Sequence, residues 1–332
     1  MNDRLSMDRR AILKGASLGA GAIAGASALA PLSSALAQAA NKTKLYILGI
    51  QAGPSVGGPY HQTCYAVVVD KDIYVLDCGY GATEQLVRAG LKLQDVRNIY
   101  ITHIHPDHIS DLPSLIYYSW YAGKTSPLNI YGPTPMQQIT TDYLKALHPS
   151  IDIWLDDIGH APLEPVEVHE RTTGGPVMQD ENVKVSCALV NHPPVVPSFG
   201  YRFETADRVI AFSGDTTPLE AVAQLAKGAD ILVHEAIYTD ALKPRQGADG
   251  RPSGETTGSG IAGNAQKLYD HVINSHSPPD QAGRIAQEAG VKTLVFAHLA
   301  PLPPQVTEMQ YIQKAREYFK GEVIVAHDLM VL

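Results

Sequence analysis

Cysteine is nearly absent, with three residues in 332 and none in a Cys-x-x-Cys pair. That excludes a disulfide scaffold and a thiolate metal site. Aromatic residues make up 7%, charged residues 18% and hydrophobic residues 45%. This balance fits a globular chain and excludes disorder, collagen-like repeats and coiled coil. Beyond the N-terminal stretch, no apolar run approaches the ~20 residues that a membrane span needs. Basic residues are the minority charge, 26 Lys and Arg against 34 Asp and Glu. The length predicts one large domain or two small ones.

The chain opens on a targeting pattern. Asp8-Arg9-Arg10-Ala11-Ile12-Leu13-Lys14 precedes a Gly/Ala stretch, and Ala35-Leu36-Ala37 has the small-x-small form of a cleavage site. Residues 1–37 resemble a twin-arginine export signal, with Asp8 before the pair and Ile12 where Phe is common. The expectation is a periplasmic or secreted mature protein, exported already folded. Removing 1–37, which holds four basic and two acidic residues, takes the net charge from −8 to −10. A body this acidic is a poor generic match for a polyanion, so nucleic acid is disfavoured as a partner.

From Lys44 the pattern is mixed. Lys44–Gly49, Thr63–Val69 and Asp72–Asp77 read as strands, the last two joined by a turn at Asp70-Lys71. Ala82–Gly90 reads as a helix, Val96–Thr102 as a strand, Pro113–Tyr121 and Pro135–Leu147 as helices around the strand Leu128–Tyr131. A second strand block covers Val166–His169, Val183–Asn191, Phe199–Glu204 and Val209–Ser213. Alternating helices and strands then run to Glu322–Ala326. Two such halves predict a layered α/β protein. Residues 239–275, rich in Gly and Pro, read as an insertion: either a lid or a segment without a role.

The strongest signal is Thr102-His103-Ile104-His105-Pro106-Asp107-His108, directly after a strand. Residues two apart in an extended segment share a side, so His103 and His105 can converge on one metal ion. Asp107 and His108 lie beyond Pro106 and can address a second position. His192, Asp215 and His298 each follow an apolar strand, and a carboxylate such as Asp215 can bridge two cations. Imidazole with carboxylate suits two divalent ions, Zn first, Mn or Fe as alternatives. Tyr117, Tyr118, Trp120 and Tyr121 follow the motif, at least half of them expected in the core, with one or two as candidates to face the cleft. His61 and the Pro-rich 193–197 segment are further rim candidates. Cys64 and Cys78 are expected to be free thiols.

This ordered set resembles the signature of the metallo-β-lactamase-fold hydrolases, from about Lys44 to Leu332. The resemblance implies a four-layer αββα sandwich with a binuclear site. One metal would take His103, His105 and His192, the other Asp107, His108 and His298, with Asp215 between them. Asp77-Cys78-Gly79-Tyr80-Gly81, His234-Glu235-Ala236 and Ser275-His276-Ser277 are similar to elements of the ribonuclease Z and arylsulfatase-like branch, although Pro278 replaces a usual Thr. That likeness implies that Glu235 and His276 protonate the leaving group while Asp107 orients the water. No clear equivalent of the branch's tRNA-gripping arm is present. Together with the leader and the acidic body, the expectation is an exported binuclear hydrolase of the arylsulfatase-like type, acting on a small-molecule ester. A phosphodiesterase, lactonase or β-lactamase on the same fold is the alternative, and a periplasmic metal- or solute-binding protein the alternative of another class. A homo-oligomer is left open.

Overall fold

Strands in the first half alternate between two interiors, and that alternation builds the first layer of the molecule. The computed structural model describes residues 43–53, 56–242, 245–246, 252–253 and 265–332. The leader 1–37 and most of the 239–264 stretch therefore lie outside the described residues. The first half runs β1 (Lys44–Gly49), β2 (Cys64–Val69), β3 (Asp72–Leu76), α1 (Ala82–Arg88), β4 (Val96–Tyr100), α2 (Pro106–Ile109), α3 (Leu112–Tyr121), β5 (Leu128–Pro133), α4 (Met136–Ile158) and β6 (Val166–Arg171). The second half runs β7 (Gly175–Gln179), β8 (Val183–His192), β9 (Val195–Thr205), β10 (Val209–Phe212), α5 (Glu220–Leu225), β11 (Ile231–Ile237), β12 (Arg245–Gln246), β13 (Pro252–Ser253), α6 (Ala265–Ser275), α7 (Pro279–Ala289), β14 (Thr293–Ala300), α8 (Glu308–Ala315), β15 (Glu322–Val325) and β16 (Met330–Val331).

In β2, Tyr65, Val67 and Val69 face the core between the sheets, while Cys64, Ala66 and Val68 face a separate core under the helices. A strand buried on both faces reads as one apolar run, and CYAVVV is such a run. The first sheet has the order β16-β1-β2-β3-β4-β5-β6, the second β15-β14-β11-β10-β9-β8-β7. Ala82 and Leu86 of α1, Leu112, Leu115 and Ile116 of α3, and Met136 of α4 cover the first sheet. Val222 and Ala223 of α5, Ala282 and Ile285 of α7, and Tyr311 and Ala315 of α8 join the core of the second. The result is the αββα sandwich that the resemblance implied. Among the described residues no helix is long and apolar enough to cross a membrane.

β10, β11 and β14 are parallel, as are β3 and β4. Their C-terminal ends therefore emerge on a common edge of each sheet. Two hydrogen bonds tie those edges together: Phe199 N–H donates to the Thr102 carbonyl at 3.0 Å, and the Tyr201 hydroxyl to the Ile101 carbonyl at 3.1 Å. Gly214 makes the close approach feasible. It sits at φ +61°, and a Cβ there would run into the Phe199 carbonyl.

Several boundaries differ from the sequence reading. α4 continues through Pro149 to Ile158 instead of ending at Leu147. β7 and β16 carry weak patterns and were not anticipated. The last part of the 239–275 insertion is helix α6. The β2–β3 register pairs Tyr65 with Leu76, which brings Cys64 level with Asp77 and leaves Cys78 beyond it. Both thiols are free and buried, and burial pushes both well above the ordinary thiol value.

Candidate metal centre

β4 ends at Tyr100, and its extension carries Thr102 to His105 into the edge, where Pro106 starts α2. Proline is favoured at this first helical position, and the turn it begins swings Asp107 and His108 inward. From the second sheet come His192 at the end of β8, Asp215 after β10, Glu235 near the end of β11 and His298 within β14. All of these except His105 are almost fully buried. The structure thus brings together all seven residues expected at the metal positions.

The donor atoms form two neighbouring clusters. His103 Nε2 and His192 Nε2 lie 3.0 and 3.1 Å from His105 Nδ1. On the other side, Asp107 Oδ2 lies 3.3 Å from His298 Nε2 and 3.5 Å from His108 Nε2. Asp215 Oδ2 sits between the clusters, 3.1 Å from His298, 3.4 Å from His108, 3.8 Å from His103 and 3.9 Å from His192. Donors at 2.0–2.1 Å from one tetrahedral ion are themselves about 3.3 Å apart, so these spacings suit two cations sharing Asp215.

Hydrogen placement makes the fit sharper. Asp77 accepts from Thr102 N–H at 2.8 Å, Thr102 Oγ–H at 2.9 Å and His108 Nδ1–H at 2.8 Å. With its own hydrogen committed to Asp77, Thr102 Oγ accepts from His103 Nδ1–H at 3.0 Å. His192 Nδ1–H donates to the Ser275 carbonyl at 2.9 Å. Three imidazoles are therefore locked as the tautomer that presents a bare Nε2 to the centre, the usual role of partners behind metal ligands. His108 Nε2 is buried without any hydrogen-bond partner. Such an orphan is costly unless a cation takes its lone pair.

The electrostatics agree. Burial holds the His103 imidazole well below its usual range and brings His105 and His192 down to about 4, keeping them neutral. Burial alone would raise the two carboxyls. His108 and His298 around Asp107, and His298, His108 and His103 around Asp215, instead hold both well below the carboxylate range. Neutral His103, His105 and His192 with ionised carboxylates are the states a divalent cation requires. Against their burial, the Asp215, Asp77 and Asp107 charges hold His108 well above its usual range and Asp215 raises His298, so a cation taken up there displaces protons.

Glu235 and His276 meet as expected, with His276 Nδ1 2.6 Å from Glu235 Oε2. Glu235 Oε1 accepts from Thr216 N–H at 2.5 Å. Burial, then the Asp215 charge, raises the Glu235 carboxyl, while burial takes His276 down to about 4. These directions favour a net-neutral pair with one proton between Oε2 and Nδ1, which leaves His276 Nε2–H free to donate. His276 lies at the end of α6, beside His192 and stacked on His298 with ring centroids 4.8 and 5.6 Å away.

Some candidates fall elsewhere. Trp120 is buried and donates from Nε1 to the Ala161 carbonyl at 2.7 Å. Tyr117 reaches Ser150 of α4 at 3.1 Å, and Tyr121 packs on Trp154. These aromatics serve the α3–α4 contact. His61 is tied to Asp328 through Nδ1 and its backbone N–H, both at 2.8 Å. Of the 193–197 segment, Pro193 and Pro194 form the turn between β8 and β9 and Val195–Pro197 begin β9, and the Pro193 carbonyl accepts from Ser275 Oγ–H. Sequence reasoning missed the orienting role of Asp77, the Gly53 N–H that donates to Asp107 Oδ2 at 2.9 Å, and His271. The last lies on α6, where the Gly/Pro-rich reading hid a helix.

The model of the Beta-lactamase superfamily domain matches residues 73–299. A protein of Mycobacterium bovis (strain BCG / Pasteur 1173P2) named Ribonuclease Z is 31% identical over 262 residues, covering 77% of this chain and 86% of its own. The chain belongs to the ribonuclease Z branch of this superfamily. Ribonuclease Z of Mycobacterium marinum (strain ATCC BAA-535 / M) is 30% identical over 263 residues, covering 77% of this chain and 86% of its own. Human tRNase Z, short form, shares the fold at a TM-score of 0.61 with 23% identity, over 87% of this chain and 98% of its own. The metallo-beta-lactamase fold protein YhfI from Bacillus subtilis does so at 0.62 with 17% identity, over 87% and 98%. Fold family, His/Asp clusters and relatives together make this chain a metal-dependent hydrolase with a binuclear divalent site.

The relatives overturn two expectations. The chain was expected to be an arylsulfatase-like hydrolase of a small-molecule ester, with nucleic acid disfavoured as partner. The curated relatives are ribonucleases by name, and they match across most of the described chain. The misreading came from giving net charge and leader more weight than the site. Net charge describes the whole surface, whereas substrate charge is met at the centre by cations that the sequence count omits.

Proposed function

We propose that this chain is a binuclear zinc hydrolase that cleaves phosphodiester bonds in RNA of the transfer-RNA type, as the names of its relatives suggest. The observation that carries the reading is the Glu235–His276 contact beside Asp215, in a chain 31% identical to a ribonuclease Z. In this reading His103, His105 and His192 hold one ion, Asp107, His108 and His298 the other, and Asp215 both. The ions, when bound, supply an activated water and neutralise phosphate charge.

The protein's own residues do the rest. Asp107, fixed by the Gly53 N–H, accepts a hydrogen bond from the attacking water and aims it at phosphorus. His276 donates its Nε2 proton to the departing ribose oxygen. Glu235 keeps that imidazole oriented and shares the proton on Nδ1 as charge develops. Asp77, Thr102 and the Ser275 carbonyl prevent the ligating imidazoles from turning.

The test uses the full chain loaded with zinc and a transfer-RNA precursor carrying a 3′ extension. Chelator-sensitive internal cleavage is the expected result, and His276→Ala should lower kcat by about 10²- to 10⁴-fold with two ions still bound. Intact RNA with two ions bound would refute the proposal. A separate proposal concerns residues 1–37: cleavage after Ala37 by a signal peptidase, leaving the mature chain in the periplasm. N-terminal sequencing of protein from a periplasmic fraction tests it, and an unprocessed chain found only in the cytoplasm would sink it.

A further inference from the structure

We propose that His271 is a specificity-determining residue, accepting a hydrogen bond from the ribose 2′-hydroxyl next to the scissile phosphate. The inference rests on the RNA-hydrolase reading above. His271 is none of the seven donors assigned to the cations, yet its ring faces them. Its centroid lies 5.9 Å from His192, 6.0 Å from His276 and 6.2 Å from His105. It is half-buried, on the face of α6 that it shares with Ser275, four residues on. A substrate seated between the cations and His276 would therefore pass beside it.

The chemistry of that contact is fixed by one hydrogen. Ser275 Oγ donates to the Pro193 carbonyl at 2.6 Å, and a hydroxyl has only one hydrogen to give. At the 3.3 Å contact between Ser275 Oγ and His271 Nδ1, the imidazole must be the donor. His271 Nδ1–H is thereby committed, and Nε2 is left as a bare acceptor. A phosphate oxygen, which carries only lone pairs, has nothing to offer it. The donor beside a phosphodiester in RNA is the 2′-hydroxyl, the group that separates RNA from DNA. The same Ser275 also presents its carbonyl to His192. One turn of α6 thus aligns a metal position, the proton donor and this acceptor together.

The experiment compares kcat/KM of the zinc-loaded full chain on two substrates: an all-ribose precursor, and the same RNA with single 2′-deoxy substitutions flanking the cleavage site. Wild type should favour the ribose substrate by about five- to tenfold at one of the two positions. His271→Ala should bring that ratio close to one by slowing cleavage of the ribose substrate. His271→Gln, whose amide oxygen still accepts, should keep part of the preference. Metal analysis of each variant should return two ions per chain. An unchanged ratio in His271→Ala overturns the proposal alone, and a lost ion overturns it by making His271 a ligand. A wild type that binds two ions but leaves all RNA intact overturns the functional reading, and this inference with it.

Discussion

Asp77→Asn is the most informative single substitution, because it changes charge and hydrogen placement while leaving shape almost intact. Asp77 is 1% exposed and sits at φ +59°, a conformation that Asn also tolerates. Its Oδ1 accepts from the Thr102 N–H, and its Oδ2 faces His108 Nδ1 at 2.8 Å. In the variant the amide carbonyl keeps the Thr102 N–H bond and also receives the Thr102 hydroxyl, 3.1 Å from that oxygen, so the His103 tautomer is preserved, while the amide nitrogen meets His108. A donor then faces a donor, so His108 must shift its hydrogen to Nε2, the atom 3.4 Å from Asp215 that presents its lone pair to the centre. Removing such an orienting partner typically costs 10- to 100-fold in metal affinity. That corresponds to about 1.4–2.8 kcal/mol, the size of one lost hydrogen bond to a charged group. Competitive zinc titration against a chelating dye reads the two sites as separate classes. Only the class containing His108 should weaken, while the site of His103, His105 and His192 keeps its affinity. Two classes that both match wild type would refute the tautomer argument. Two that fall equally would show that Asp77 supports the fold and not one ligand.

Removing the metal should destabilise the whole protein, since buried Asp107 and Asp215 then lose their counter-charges. At a thousandfold excess over Kd, binding contributes about 4 kcal/mol, and a chain of this size should melt about 8 °C lower in chelator by differential scanning calorimetry. His234 predicts an acid limb independent of the metal. It is fully buried, donates from Nδ1 to the Glu235 carbonyl at 2.8 Å, and burial takes it down to about 4. Unfolded, the group titrates near 6.5, so between these values the unfolded chain binds more protons and stability rises with pH. This contribution, about 3 kcal/mol, is complete above pH 6.5 and is lost as pH falls towards 4. Denaturant melts of chelated protein at pH 7 and 5 should show a smaller acid loss in His234→Phe than in wild type; equal losses would exclude the residue as a cause. Gly79→Ala should destabilise by about 1–3 kcal/mol, because the new methyl would run into the Asp107 carbonyl and the Gln62 side chain. Urea melts and zinc stoichiometry measure it, and an unperturbed variant would mean that α2 can retreat without cost.

The sequence was most legible where one pattern has one physical meaning. β2 and β3 alternate between two cores, so Cys64–Val69 and residues 73–76 had to be apolar and were easy to read as strands. The run from His103 to His108 had no bland explanation, and the remaining ligands lay at or near the ends of strands readable in the sequence, although β14 runs two residues past His298. The Glu235–His276 pair came only through resemblance, since nothing local joins residues 41 apart. What stayed hidden was set by long-range packing. The helix was expected to end at Leu147, yet the exposed turn around Pro149 tolerates a missing hydrogen bond and α4 runs on to Ile158. α6 is a polar helix next to a glycine-rich run, and the Gly and Pro residues of that run outweighed its helical spacing in the sequence. β16 is two residues long and exists because β1 receives it. The tautomers of His103, His108 and His192 depend on Asp77, Thr102 and Ser275, partners that no spacing rule identifies.

That last strand has a bearing on biosynthesis. The first sheet takes six of its strands from residues 44–171, but its outer edge is closed by Met330 and Val331 pairing with Ile47 and Tyr46. His298, too, is among the later residues to leave the ribosome. An emerging chain can therefore assemble most of the layer that carries His103 to His108 while still lacking both the closing strand and a full ligand set. The second metal position is complete only once His298 has joined Asp107 and His108, so a shorter nascent polypeptide cannot carry the full binuclear centre.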